Sequence, residues 1–101
     1  IMQLGDTVHL IRKISKEILP VELVEVLANQ KTPVVLVRWK SDRARYKLDL
    51  ERNLVLAIDA TTSHRQSMRV WYEISEEHRK ALTDLFWKTR KEGGATNGRR
   101  A

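Results

Sequence analysis

A chain of 101 residues with 19 basic and 13 acidic side chains, net +6, and no cysteine fits one domain with a small core and little room for a deep catalytic cleft. The missing cysteines exclude disulfides, thiolate zinc sites, iron–sulfur clusters and cysteine nucleophiles, and they fit a reducing, cytoplasmic setting. No apolar run nears the roughly 20 residues of a membrane-spanning helix, and no signal-peptide pattern opens the sequence, which begins at Ile1 and so allows for a preceding segment.

Residues 4–12 open on a Gly5-Asp6 turn signal followed by a β-branched run. A strand fits, with Val8 and Leu10 on one side, and so does a helix, because Leu10, Ile14 and Ile18 recur every four residues ahead of Pro20. Residues 21–28 are rich in branched side chains and predict a strand, although Leu23, Val24 and Leu27 also share a helical face. The turn-prone stretch 29–33 leads into 34–40, the clearest strand of the chain, so 21–40 predicts a hairpin. After a turn at 41–44, residues 45–50 alternate: Tyr46, Leu48 and Leu50 point one way, Arg45, Lys47 and Asp49 the other. A further apolar run covers 54–58, a polar connector 59–67, and a short strand 68–74. Ser75 then caps a helix with Glu76 and Glu77 in its first turn, Lys88, Arg90 and Lys91 in its last, and Gly93-Gly94 as its stop. His78, Ala81, Leu82, Leu85 and Phe86 form its apolar face.

These elements predict an α+β fold: a small β-barrel over about 4–58, then the connector and a strand and amphipathic helix over 68–92, in one compact domain 1–92 with a flexible basic tail at 93–101. The opening Leu4-Gly5-Asp6-Thr7-Val8, the hairpin at 21–40 and the closing Leu50-Glu51-Arg52-Asn53-Leu54-Val55-Leu56 resemble an SH3-like barrel of the Tudor or KOW sort. Residues 38–52 offer only Trp39 and Tyr46 toward the aromatic cage of methyl-lysine-reading Tudor domains. A winged helix, with helices at 7–19 and 21–28 and a wing at 33–50, is the alternative.

The excess charge is concentrated. Residues 1–37 are neutral and 53–87 carry −1, whereas 38–52 carry +3 and 88–101 carry +4. If 34–40 pairs with 45–50, burial of Trp39, Val37, Tyr46 and Leu48 leaves Arg38, Lys40, Arg45 and Lys47 on one outer face, with Arg43 at the turn. Cations so spaced suit successive phosphates, and like charges crowded across strands cost stability. The ordinary alternative is a solvated sheet face with Asp42, Asp49 and Glu51 as local partners. Trp87 falls on the polar side of the helix among Lys80, Thr83, Arg90 and Lys91, where it can stack on a base, anchor a partner, or fold back on the barrel or on Trp71. Arg65 and Arg69 in and beside the connector read as solvated loop cations.

His9, His64 and His78 make no recognisable ligand spacing, and no glycine-rich phosphate loop or triad pattern occurs. The expectation is a non-enzymatic nucleic-acid-binding module, DNA or RNA, regulatory or accessory, cytoplasmic or in the nucleoid or nucleus if DNA-binding. Phosphates would meet Arg38, Lys40, Arg43, Arg45 and Lys47, with Lys88, Arg90 and Lys91 adding affinity. Metal, cofactor, membrane and small-molecule substrate are not expected. The alternative is a protein-interaction adaptor, with a protein partner or homodimer.

Overall fold

The computed structural model describes residues 1–39, 44–58 and 71–93. Six strands precede one helix: β1 (Thr7–Arg12), β2 (Ile18–Val26), β3 (Val34–Trp39), β4 (Arg45–Asp49), β5 (Leu54–Ala57), β6 (Tyr72–Ile74) and α1 (Glu76–Lys91). They form one antiparallel sheet in the order β5-β4-β3-β2-β1-β6. Its outer strands β5 and β6 come into contact, so the sheet curls into a nearly closed barrel compatible with an SH3-like one. The α+β expectation holds. The winged-helix alternative does not, because 7–12 and 18–26 are strands paired to each other from Thr7↔Glu22 to Ile11↔Ile18.

The barrel does not close within 4–58. Its sixth strand comes from beyond the connector, through Leu10↔Ile74, Ile11↔Glu73 and Arg12↔Tyr72. Pro20, which a helical reading would make a terminator, lies inside β2. The N–H and C=O of Leu23 both face the β1 side, so by alternation the Pro20 nitrogen faces the β3 side. Pairing with β3 is recorded only from Val21 onward, so proline takes no bond from that described ladder. A bulge between Leu23 and Glu25 inserts one extra residue into β2 and moves the inward set from Val21 and Leu23 to Val26 and Ala28.

Helix α1 lies across the end of the barrel from which the β2–β3 and β4–β5 turns leave. Ser75 caps it by accepting from the His78 N–H, and Gly93, at φ +103°, follows its last turn. The Arg79 Nη1 donates to the Leu50 carbonyl at 3.0 Å, and the Arg90 Nη1 to the Gln30 carbonyl at 2.8 Å. Between these anchors Leu82 and Phe86 are fully buried in the same cluster as Val8, Leu10, Val21, Leu23, Val35, Val37, Leu48 and Val55. The helix therefore completes the core rather than decorating it. Among the described residues no helix is long and apolar enough to cross a membrane.

Candidate functional site

Strand direction sorts the loops into two sets. β1, β3 and β5 run away from the helix-bearing end, so the β1–β2 turn, the β3–β4 turn and the β5–β6 connector all join strand ends at the opposite one. Among the described residues of these connections, 12–17 hold three cations and one acid, whereas 1–6, 27–33 and 50–53 at the helix end hold two of each. The described β1–β2 turn is thus net basic, and the described connections at the helix end are net neutral.

The register places Arg38 opposite Arg45 and Leu36 opposite Lys47, so the three expected cations that fall on described strand residues share the outer face, while Val37, Tyr46 and Leu48 turn inward and Trp39 is half-buried. Arg45 and Lys47 are exposed. Arg38 is paired: its Nη2 meets the Glu22 carboxylate of β2 at 2.9 Å. That pairing sets a carboxylate beside the two guanidinium groups that face each other across β3 and β4. Of the three acids read as local partners of the hairpin, Asp42 lies outside the described residues, and Asp49 is engaged in the next turn. Asp49 is buried, accepts from the Arg52 N–H at 3.0 Å and pairs with the Arg52 guanidinium, closing the β4–β5 turn. Lys40 and Arg43 lie outside the described residues, as do Arg65, Arg69 and the tail from residue 94.

The helix cations belong to a different place. Arg90 reaches Gln30 in the β2–β3 turn, a full β3 strand from the β3–β4 turn, or about 16–20 Å at strand rise. Lys88 lines a shallow groove of about 260 Å³ with Ile1, Met2, Ala81, Asp84 and Leu85. Lys88, Arg90 and Lys91 thus do not extend the hairpin surface. Trp87 is 46% exposed at that end, its ring edge-on to Phe86 at 5.0 Å and under the Arg90 guanidinium at 5.7 Å. These two contacts hold the indole in place.

Sequence spacing missed two clusters. Tyr72, from beyond the connector, joins Trp39 and Tyr46: Trp39 lies 5.8 Å from Tyr46 and 6.2 Å from Tyr72, both edge-on. The Arg12 guanidinium covers the Tyr72 ring at 5.3 Å. Trp39 thus packs edge-on against both tyrosines, with Tyr46 buried.

His9 and His78, 69 residues apart, bring their rings to 4.7 Å. The His9 backbone N–H donates to His78 Nδ1 at 2.8 Å, and the Ser75 N–H donates to the His9 carbonyl. His78 is therefore a latch between β1 and the start of α1, its neutral ring protonated at Nε2. Among the described residues no group of three or more His, Asp or Glu is placed to hold a metal ion.

Burial first, and His9 second, hold the His78 imidazole below its ordinary value of 6.5, against the opposing pull of Glu77. Protonation would also destroy the Nδ1 acceptor. The stability this latch contributes is full above the unfolded value near 6.5 and is lost as pH falls through the lower folded value. The melting temperature should fall by roughly a few degrees between pH 7 and 5. His78→Asn, whose Oδ1 offers a non-titrating acceptor, should flatten that decline. An unaltered pH profile in the variant would assign the decline to other groups.

Compared with known proteins, the chain matches no family model, no curated protein and no solved structure.

Proposed function

We propose that the chain is a non-enzymatic, regulatory or accessory nucleic-acid-binding module that grips phosphates with the loop-bearing end and adjoining outer face of its barrel. The observation that carries the proposal is the exposed pair Arg45 and Lys47 on one face of β4, about 7 Å apart along the strand. Arg45, at the start of β4, stands toward the end from which the basic β1–β2 turn leaves. A basic surface concentrated at one end releases counterions when it meets a polyanion. The barrel is read as SH3-like, of the Tudor or KOW sort; fold alone does not decide function, and the charge placement does the arguing. A module of this kind works in the cytoplasm, or in the nucleoid or nucleus if its ligand is DNA.

A protein-adaptor reading draws on Trp87, whose exposed ring lies at the opposite end with Arg90. The two readings separate in one experiment, fluorescence anisotropy with labelled single-stranded DNA, duplex DNA and structured RNA at several salt concentrations. The expected binding weakens linearly in log–log salt. Arg45→Glu with Lys47→Glu lowers affinity roughly 10- to 100-fold and reduces the salt slope by about two phosphates. Trp87→Ala leaves both unchanged. No binding at low salt, or full binding after the double reversal, removes the nucleic-acid reading.

A further inference from the structure

The β1–β2 turn combines features that the phosphate-binding reading does not use. Ile14 is 73% exposed at its tip and Ile18 is 58% exposed where β2 begins. Trp71, 42% exposed, lies on the other side of β1 from Ile18, its carbonyl accepting from the Lys13 N–H at 2.8 Å. The turn is tightly fixed. The Lys16 N–H donates to the Arg12 carbonyl at 2.8 Å and the Arg12 N–H to the Glu17 carbonyl at 2.9 Å. The Glu17 N–H donates to Ser15 Oγ at 3.2 Å, and the Arg12 and Glu17 side chains pair at 3.3 Å. Lys16 holds φ +65°, a left-handed conformation that glycine adopts without strain and a lysine only at a cost. The chain thus accepts backbone strain at a position where it displays a cation, two residues from a large apolar side chain turned to water.

An exposed isoleucine on a flexible loop is commonplace. A β-branched side chain on a pinned turn, flanked in sequence by lysines at 13 and 16, has the parts of a wedge: apolar bulk, rigidity, and cations to meet the phosphates on either side. Resting on the nucleic-acid reading, we infer that Ile14 inserts at a deformable step of duplex DNA, that Lys16 meets the adjoining phosphate, and that the chain thereby bends the duplex. Trp71 and Ile18 supply apolar surface against the opened step. Glu17 is paired with Arg12 and repels duplex phosphates and anionic headgroups alike, so the duplex is favoured on another ground: the turn leaves the same barrel end at which the exposed Arg45 begins β4.

The test measures end-to-end distance by energy transfer in a duplex of 20–30 base pairs, intact or carrying a central nick or mismatch. The unmodified chain, Ile14→Ser and Lys16→Gly are compared, with folding checked by circular dichroism. The expected result is a shortened duplex and a preference of roughly tenfold for the nicked or mismatched form, since a step already weakened costs less to open. Ile14→Ser binds intact duplex with the same salt slope but loses both the bend and the preference. Lys16→Gly keeps the turn geometry and weakens binding to every duplex. Binding without bending, or bending that survives Ile14→Ser, overturns the wedge while the phosphate surface stands. A blue shift of tryptophan emission on phosphatidylserine vesicles that depends on Ile14, with duplex geometry unchanged, overturns it in favour of a membrane. Failure to bind any nucleic acid removes the proposed function, and the wedge with it.

Discussion

Phe86→Ala should lower the unfolding free energy by about 3–5 kcal/mol, a large part of the roughly 5–15 kcal/mol expected of a domain this size. The ring is fully buried, and with Leu82 it is the part of α1 that enters the barrel core. Truncation removes that apolar surface and leaves a void at the barrel end, where the Arg79–Leu50 and Arg90–Gln30 hydrogen bonds hold the helix at a fixed height. Partial collapse is therefore restricted, and the cost falls toward the upper part of the range. The melting temperature should drop by more than about 10 °C. Trp87 loses the ring edge it packs against, so its emission should shift in the folded state as well. Helix signal by circular dichroism and barrel signal by tryptophan fluorescence should be lost together, because one core serves both. If the barrel transition stays where it was while helicity falls, the helix is peripheral and the single-core description is wrong. Phe86→Leu, which keeps most of the volume, should cost less than about 1.5 kcal/mol.

Much of the barrel was legible because its strands announce themselves locally. The Val-rich run of β3 and the alternation of Tyr46, Leu48 and Leu50 fix which side faces inward, whereas the register Arg38↔Arg45 is visible only in the structure, since alternation sets the parity of a pairing and not its register. The helix was legible from Ser75, its charged ends and its apolar stripe. The ambiguity over 21–28 has a structural cause. The bulge after Leu23 breaks the two-residue period, so Leu23, Val24 and Leu27 fall at a spacing that imitates a helix. What was not legible is non-local. Three residues of β6 are too few to carry a pattern, and nothing in the spacing says that they pair with β1. The His9–His78 latch and the Trp39–Tyr72 contact join elements far apart in sequence that only the closed barrel brings together, and the Arg38–Glu22 ion pair depends on the register of the β2–β3 hairpin. The same limit applies to the candidate site. The basic hairpin and the helix cations read as two sites along the chain, and that Arg90 stands about the length of β3 from the β3–β4 turn is visible only once strand direction is known.

Closure itself depends on a side chain, and this makes Asn53 the second position of large expected effect. Leu10 and Ile74 face each other in the β1–β6 pair, while the backbone bonds run through Ser75 to His9 and Lys13 to Trp71. By alternation the Ile74 N–H points away from β1, toward the open side of the barrel. There it donates to the Asn53 Oδ1 at 2.7 Å. Ile74 is buried, so water does not readily replace that acceptor. Asn53 also sits at φ +56° in the β4–β5 turn, a conformation asparagine tolerates better than most residues. Asn53→Ala removes the acceptor and adds backbone strain, and it should cost about 2–4 kcal/mol. Asn53→Gly removes only the acceptor and should cost about 1–3 kcal/mol. Asn53→Asp keeps an acceptor and should be the mildest of the three. Denaturant melts give the order, and amide exchange at Ile74 locates the loss: protection there should fall further than at Leu48 in the barrel interior. Were the glycine variant as stable as the parent, the hydrogen bond would contribute nothing, and the β5–β6 seam would be held by packing alone.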